Sequence, residues 1–227
     1  SFGSTENTSI MLIKKFAVVL SGCGVYDGSE IHEAVCTLLA IEKAGACYEC
    51  FAPNVNQYHV INHLTGQVVN QTRNILEEAA RIARGTIKEL SRFDPTHFDA
   101  LIFPGGFGAA KNLSTFAFDG ADCLILPEVE NAIRNAYNTR IPIGALCIAP
   151  TLLAKVLGKG NLTIGNDLDT AAAIEIMGSM HTSTLSGQII SDRENKIVSA
   201  PCYMLNTKIS TIASEAEKVI AELLSMM

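Results

Sequence analysis

Short apolar runs alternate with stretches of helical spacing along most of the chain. Phe16-Ala17-Val18-Val19-Leu20 is a continuous apolar run closed by Ser21-Gly22, as expected of a strand buried on both faces. Ser29 is a good N-cap for a helix that runs to Gly45, with Ile31, Ala34, Val35, Leu38, Leu39 and Ile41 at helical spacing. Cys47 to Ala52 predicts the next strand, closed by Pro53. Strand, helix and strand in so short a span make a βαβ unit, and βαβ units imply a parallel sheet.

The pattern continues downstream. Residues Asn54 to Asn70 show no regular period, and Asn74 to Arg84 predicts a helix. Strands are expected at Ala100–Phe103, Ile141–Leu146 and Leu162–Ile164. Helices are expected at Pro127–Tyr137, Pro150–Leu157 and Ala171–Met177, and a long one at Met204–Leu224. Gln188–Ser191 and Lys196–Ser199 suit a hairpin around Asp192–Asn195. No repeat or low-complexity linker interrupts the series. The reading is one doubly wound α/β domain over 15–227 behind an N-terminal tail or cloning remnant over 1–14, with Met11 fitting a native start.

In a doubly wound sheet the site lies beyond the carboxyl ends of the strands. Three loops qualify: Ser21–Gly28, Pro104–Gly108 and Leu146–Pro150. In Ile143-Gly144-Ala145-Leu146-Cys147-Ile148-Ala149-Pro150, a strand runs into Cys147 and a helix begins at once, the arrangement of a nucleophile elbow. Helix N–H groups at that junction favour a thiolate, and such sites lower a cysteine pKa to roughly 3.5–7.5. An ordinary buried cysteine is the competing reading. Gly105, Gly106 and Gly108 suit half of an oxyanion hole, through Gly106 or Phe107, with the N–H of Ile148 as the other half. A simple tight turn is the rival. A phosphate loop is excluded, because Ala109-Ala110 stands where Lys-Ser/Thr is needed. Glu30 and Glu33 share one helix face, with His32 turned away, and a carboxyl buried beside a thiol would have a raised pKa.

The composition narrows the classes. Of 227 residues 48% are hydrophobic, enough for a sizeable core, and Trp is absent, so that core is aliphatic. The net charge is −6 with no basic block, which argues against nucleic-acid or acidic-membrane partners. No run reaches a membrane span. Seven scattered cysteines argue for a reducing compartment, read as the cytoplasm, with a removed organellar leader left open. Cys47 and Cys50 form a CxxC, but on a predicted strand and without a second ligand pair, so no metal site is expected.

Several stretches together carry a family resemblance: Leu20 to Gly28, Glu30 to Ala34, Val60 to Gly66, Phe103 to Phe116 and Cys147 to Pro150. From about Lys15 onward the chain resembles the class I glutamine-amidotransferase-like superfamily, which includes the PfpI-type peptidases and the Parkinsonism-associated deglycase. Within it the chain is similar to the ElbB subfamily of isoprenoid-biosynthesis (enhancing-lycopene-biosynthesis) proteins. The resemblance implies a flavodoxin-like three-layer α/β sandwich with a mostly parallel sheet, often a homodimer. It implies Cys147 as nucleophile with Glu33 as its hydrogen-bond partner. It further implies glyoxalase-type lyase activity on glyoxal or another small dicarbonyl or aldehyde, without cofactor or metal. Many hydrolytic members carry His directly after the nucleophile, where this chain has Ile148, which argues against glutaminase and peptidase activity. A thiol redox sensor and a glutaminase-like subunit are the alternative functions. Cys23, Glu30, His63 and His181 are the further residues expected to approach the pocket.

Overall fold

In the computed structural model, which describes residues 12–227, seven strands form one twisted sheet. Residues 1–11 of the expected tail lie outside the described residues. The strands are β1 (Lys15–Val19), β2 (Cys47–Ala52), β5 (Ile87–Glu89), β6 (Ala100–Phe103), β7 (Ile143–Leu146), β10 (Ile190–Asp192) and β11 (Ile197–Ala200). Their order is β10-β11-β7-β6-β1-β2-β5, and every pair is parallel except β10–β11. Two small two-stranded sheets stand apart: an antiparallel pair, β3 (Val60–Asn62) with β4 (Gln67–Val69), and a parallel pair, β8 (Asn161–Leu162) with β9 (Met180–His181).

The centre of the sheet is buried on both faces because Phe16–Val19 of β1 and all of β6 and β7 carry no polar side chain. Side chains alternate across a strand. Ala17, Val19, Leu101 and Phe103 enter one core with α5 (Pro127–Asn138), α6 (Pro150–Leu157) and α7 (Leu168–Ile176). Phe16, Val18, Ala100 and Ile102 enter the other with α1 (Ile31–Lys43), α2 (Ile75–Ile82) and α8 (Ile209–Ser225). Helix, sheet and helix make the expected three-layer flavodoxin-like sandwich. Two short helices, α3 (Phe107–Lys111) and α4 (Phe116–Asp119), follow β6.

Several boundaries differ from the sequence expectation. The cap of α1 is Glu30, whose carboxylate accepts the Glu33 N–H at 2.7 Å, while the Ser29 hydroxyl accepts the Ser21 N–H at 2.8 Å. The α1 stripe also divides: Ala34 and Ile41 are buried, with Glu33 and Thr37 beside them, whereas Ile31, Val35 and Leu39 are exposed. The inner face of α1 is thus set by its contacts with the sheet and α8, not by apolarity alone. β7 begins at Ile143 because Pro142 has no N–H for the ladder and offers only its carbonyl, to Leu101 N at 3.0 Å. Asp167 caps α7 through Thr170 N, so that helix begins before Ala171. Leu162 joins β9 in a separate sheet, and α8 starts at Ile209 after a single 3-10 turn at Cys202–Met204.

Helix α8 covers β7 at Gly144, where a Cβ would press on Leu223 and Ile102. Leu223 is fully buried. Leu223→Ala should therefore lower unfolding stability by about 2–5 kcal/mol. Urea denaturation followed by far-UV circular dichroism measures this, and a loss under about 1 kcal/mol would contradict the packing described.

Candidate active site

The chain changes direction across the sheet between β1 and β6: β2 and β5 lie to one side, β7 and β11 to the other. At this switch point the loops after β1, β6 and β7 meet. Backbone hydrogen bonds join the first two: Glu30 N–H to Gly105 O (2.9 Å), Phe107 N–H to Val25 O (2.8 Å) and Gly108 N–H to Gly28 O (2.8 Å). Asn112 Nδ2 donates to both Ser21 O and Asp27 O at 2.9 Å. Gly105 is required by close approach, since a Cβ there would overlap Cys147 Cβ and Glu33 Oε1.

Cys147 directly follows β7, with its N–H on Ala200 O at 2.9 Å. Its φ is +60°, the left-handed region, which costs a non-glycine residue roughly 1–2 kcal/mol. Pro150 then occupies the first turn of α6. This is the nucleophile elbow read from the sequence. The residue is 7% exposed, and its accessible side opens on a pocket of about 430 Å³.

Three polar groups surround the sulfur: the N–H of Gly106, the N–H of Ile148 and the carboxyl of Glu33. Glu33 is fully buried and held at both oxygens, Oε1 by Gly105 N–H (2.9 Å) and Oε2 by Tyr203 N–H (3.3 Å). Burial first, then the charge of Glu30, pushes the Glu33 carboxyl up to about 8. At neutral pH it is protonated and can donate toward the sulfur. Burial, and then the negative charge of an ionised Glu33, pushes the Cys147 thiol up, while the two N–H groups pull it down. Helix N–H groups at the elbow were expected to lower the thiol pKa, but desolvation outweighs the N–H groups of Ile148 and Gly106 and the shift is upward. At neutral pH both groups therefore carry a proton.

The structure sorts the remaining expectations. Gly106 and Ile148 present their N–H groups to the sulfur, but the Phe107 N–H is committed to Val25 O and supplies no oxyanion contact. The Phe107 side chain and Glu30 line the pocket. Cys23 does not line it; it is half-buried, and its charged neighbours are Arg81, Glu78 and Asp27. His63 stacks on Tyr26 and its Nε2 accepts the Tyr26 N–H at 3.2 Å, so it fixes the first loop. Asp27 Oδ2 accepts the Ile61 N–H, tying that loop to β3. His181 Nε2 accepts the Ile164 N–H at 3.1 Å, and that histidine braces β8 and β9. Neither histidine reaches the pocket. Tyr203 is the residue that the sequence did not mark. Its N–H holds Glu33, its ring lines the pocket, and its hydroxyl bonds His32 Nδ1 at 2.7 Å. Only the end of a strand at Pro201-Cys202 signals it.

A larger depression of about 730 Å³ lies over the starts of β1 and β2 and includes Cys47 and Cys50. Cys47 is exposed and Cys50 is buried, with burial pushing the Cys50 thiol up to about 12. An i, i+3 pair on a strand points to opposite faces, so the CxxC makes no site. No cluster of three or more metal-ligating side chains occurs among the described residues. No helix there is long and apolar enough to cross a membrane.

No family model matches the chain. Human "glutamine amidotransferase-like class 1 domain-containing protein 3, mitochondrial" is 43% identical over 222 residues, spanning 93% of this chain and 83% of the human protein. An isoprenoid biosynthesis protein with an amidotransferase-like domain from Ehrlichia chaffeensis is 38% identical, with a TM-score of 0.87 over 94% of this chain and all of that one. Glyoxalase III from Candida albicans shares the fold at 13% identity, with a TM-score of 0.61 over 94% of this chain and 97% of that one.

Two measurements test the buried pair. Folding raises the Glu33 carboxyl from its ordinary 4.5 to about 8, so in that window the folded chain holds a proton that the unfolded chain has released. Stability should therefore fall as pH rises from 4.5 to 8, by up to about 5 kcal/mol from this group. Glu33→Gln should remove this slope in urea denaturation at pH 5 and pH 8; an unchanged slope contradicts the raised pKa. The same variant removes the carboxylate charge beside Cys147, so the pH midpoint of Cys147 alkylation by iodoacetamide should fall by about one unit or more.

Proposed function

The chain belongs to the family of glutamine amidotransferase-like class 1 domain (ES1) proteins, and from that premise we propose that it is a cofactor-independent glyoxalase-type enzyme. Its substrate on this reading is glyoxal or a related small dicarbonyl, and its product a hydroxy acid. The observation that carries the reading is the convergence of two backbone N–H groups and a protonated carboxyl on one sulfur at a pocket mouth. That set suits addition to a carbonyl. It lacks the histidine of a Cys–His–Glu triad, since no histidine lines the pocket among the described residues.

The chemistry balances with water as the only co-reactant. The thiol proton leaves to solvent through the pocket mouth; Cys147 Sγ, as thiolate, bonds to one carbonyl carbon, and the π pair moves to oxygen, which faces Gly106 N–H and Ile148 N–H. The Glu33 proton goes to that oxygen, giving a hemithioacetal. Glu33, now a carboxylate, removes the proton on the same carbon, the neighbouring carbonyl oxygen takes up a proton to give an enediol, and Glu33 returns its proton to the neighbouring carbon as the first hydroxyl releases its own and becomes the thioester carbonyl. The result is a thioester of the hydroxy acid. Water cleaves it, releasing glycolate from glyoxal and regenerating the thiol. Positioned N–H donors are worth about 10²–10³-fold and an acid–base group about 10²–10⁴-fold.

Seven free thiols suit a reducing compartment. The human relative is named as mitochondrial, so the mitochondrion joins the cytoplasm as a proposed location. A homodimer is the proposed assembly.

Purified protein assayed with glyoxal should form glycolate. Cys147→Ala should abolish formation, and Glu33→Gln should lower kcat by about 10²–10⁴-fold. Equal turnover in all three proteins would remove this reading.

A further inference from the structure

The pocket before Cys147 is far larger than the smallest dicarbonyl. Its volume is about 430 Å³. Glyoxal fills roughly the space of two or three waters at about 30 Å³ each. Much of the surplus is walled by apolar side chains: Val25, Phe107, Phe116, Ala117 and Met204. The acidic residues on the wall are Glu30 and Asp167, and no Lys, Arg or His lines it among the described residues. Lys111, next to the pocket residue Ala110, directs its Nζ to Tyr26 O at 3.2 Å and lies over the Phe107 ring. Asp167 is held as a carboxylate by Thr170, whose N–H and hydroxyl both donate to Oδ2. An anionic oxo acid entering here would meet like charge on a wall with no cation of its own, which disfavours it.

On the dicarbonyl reading above, we propose that the preferred substrate is a neutral 2-oxoaldehyde with a branched aliphatic or aromatic substituent of about four to six carbons. The aldehyde carbon bonds to Cys147 Sγ, and the substituent rests on Phe107, Phe116 and Met204. The π pair of the aldehyde moves to its oxygen, which takes the Glu33 proton. The proton shift and hydrolysis follow as for glyoxal, giving the 2-hydroxy acid with the substituent unchanged. That product is an anion, and the acidic wall that disfavours oxo acids also favours its departure. Each buried methylene should raise kcat/KM by about fourfold.

Two readouts separate this inference from the reading beneath it. In turnover, phenylglyoxal and isobutylglyoxal should exceed glyoxal in kcat/KM by about tenfold or more, and Phe116→Ala should reduce that ratio. Cys147-dependent turnover of glyoxal with no preference for the larger compounds overturns the inference and leaves the glyoxalase reading standing. The second readout needs no turnover. 3-Methylbutanal should protect Cys147 from iodoacetamide at about a tenfold lower concentration than acetaldehyde does, after division by the same ratio for free N-acetylcysteine. Selective protection without turnover of any dicarbonyl removes the glyoxalase reading and retains the apolar carbonyl preference. Equal protection by the two aldehydes overturns that preference.

Discussion

One buried carboxyl holds the site together. Glu33 sits on α1, yet its oxygens accept N–H groups from the loop after β6 and from the turn after β11, and it faces the sulfur at the end of β7. Four segments distant in sequence are thereby fixed to one another. A carboxyl in such a place cannot remain ionised cheaply, since burial removes the water that would solvate its charge. Protonation satisfies the group and turns it into a donor at the one point where a donor toward sulfur is useful. Glu30, at the cap of the same helix, reinforces that state by its charge.

The fold supplies this arrangement through its topology. Because the sheet grows in opposite directions from β1 and β6, the loops leaving these strands separate and open a crevice. Close backbone approach then governs which residues can stand there. Gly105 lies against Cys147 and Glu33, and Gly108 against Gly28 and Ser21. The loops are stitched by backbone groups and by Asn112, so the pocket wall is built on the same bonds that orient the sulfur.

Much of this was legible in the sequence because short apolar runs bounded by glycine or proline favour buried strands, and because Cys147 stands between such a run and Pro150. The pairing of Cys147 with Glu33 came from the family resemblance, supported by the helix-face argument that put Glu30 and Glu33 together. Other features depend on three-dimensional context. Helix α1 carries apolar residues all round, so spacing could not tell that Ile31, Val35 and Leu39 face outward. The sign of the Cys147 shift depends on burial, which local sequence does not report. The Phe107 N–H was a fair oxyanion donor until Val25 O claimed it. His63 and His181 were plausible near the pocket by loop membership, but their ring nitrogens complete backbone bonds elsewhere. Tyr203 was invisible because its role rests on a main-chain N–H, which every residue but proline possesses.

With the Phe107 N–H occupied, only Gly106 and Ile148 are left to face negative charge at the elbow, and both already address the resting sulfur. The same two dipoles must serve first the ion that attacks and then the oxygen that receives the electrons. Solvating the first more strongly would flatten the difference between starting state and transition state, and that difference is what accelerates a reaction. A poorly solvated, reluctantly ionised sulfur is thus compatible with a fast site: reactivity is held back until an electrophile arrives to relocate the charge.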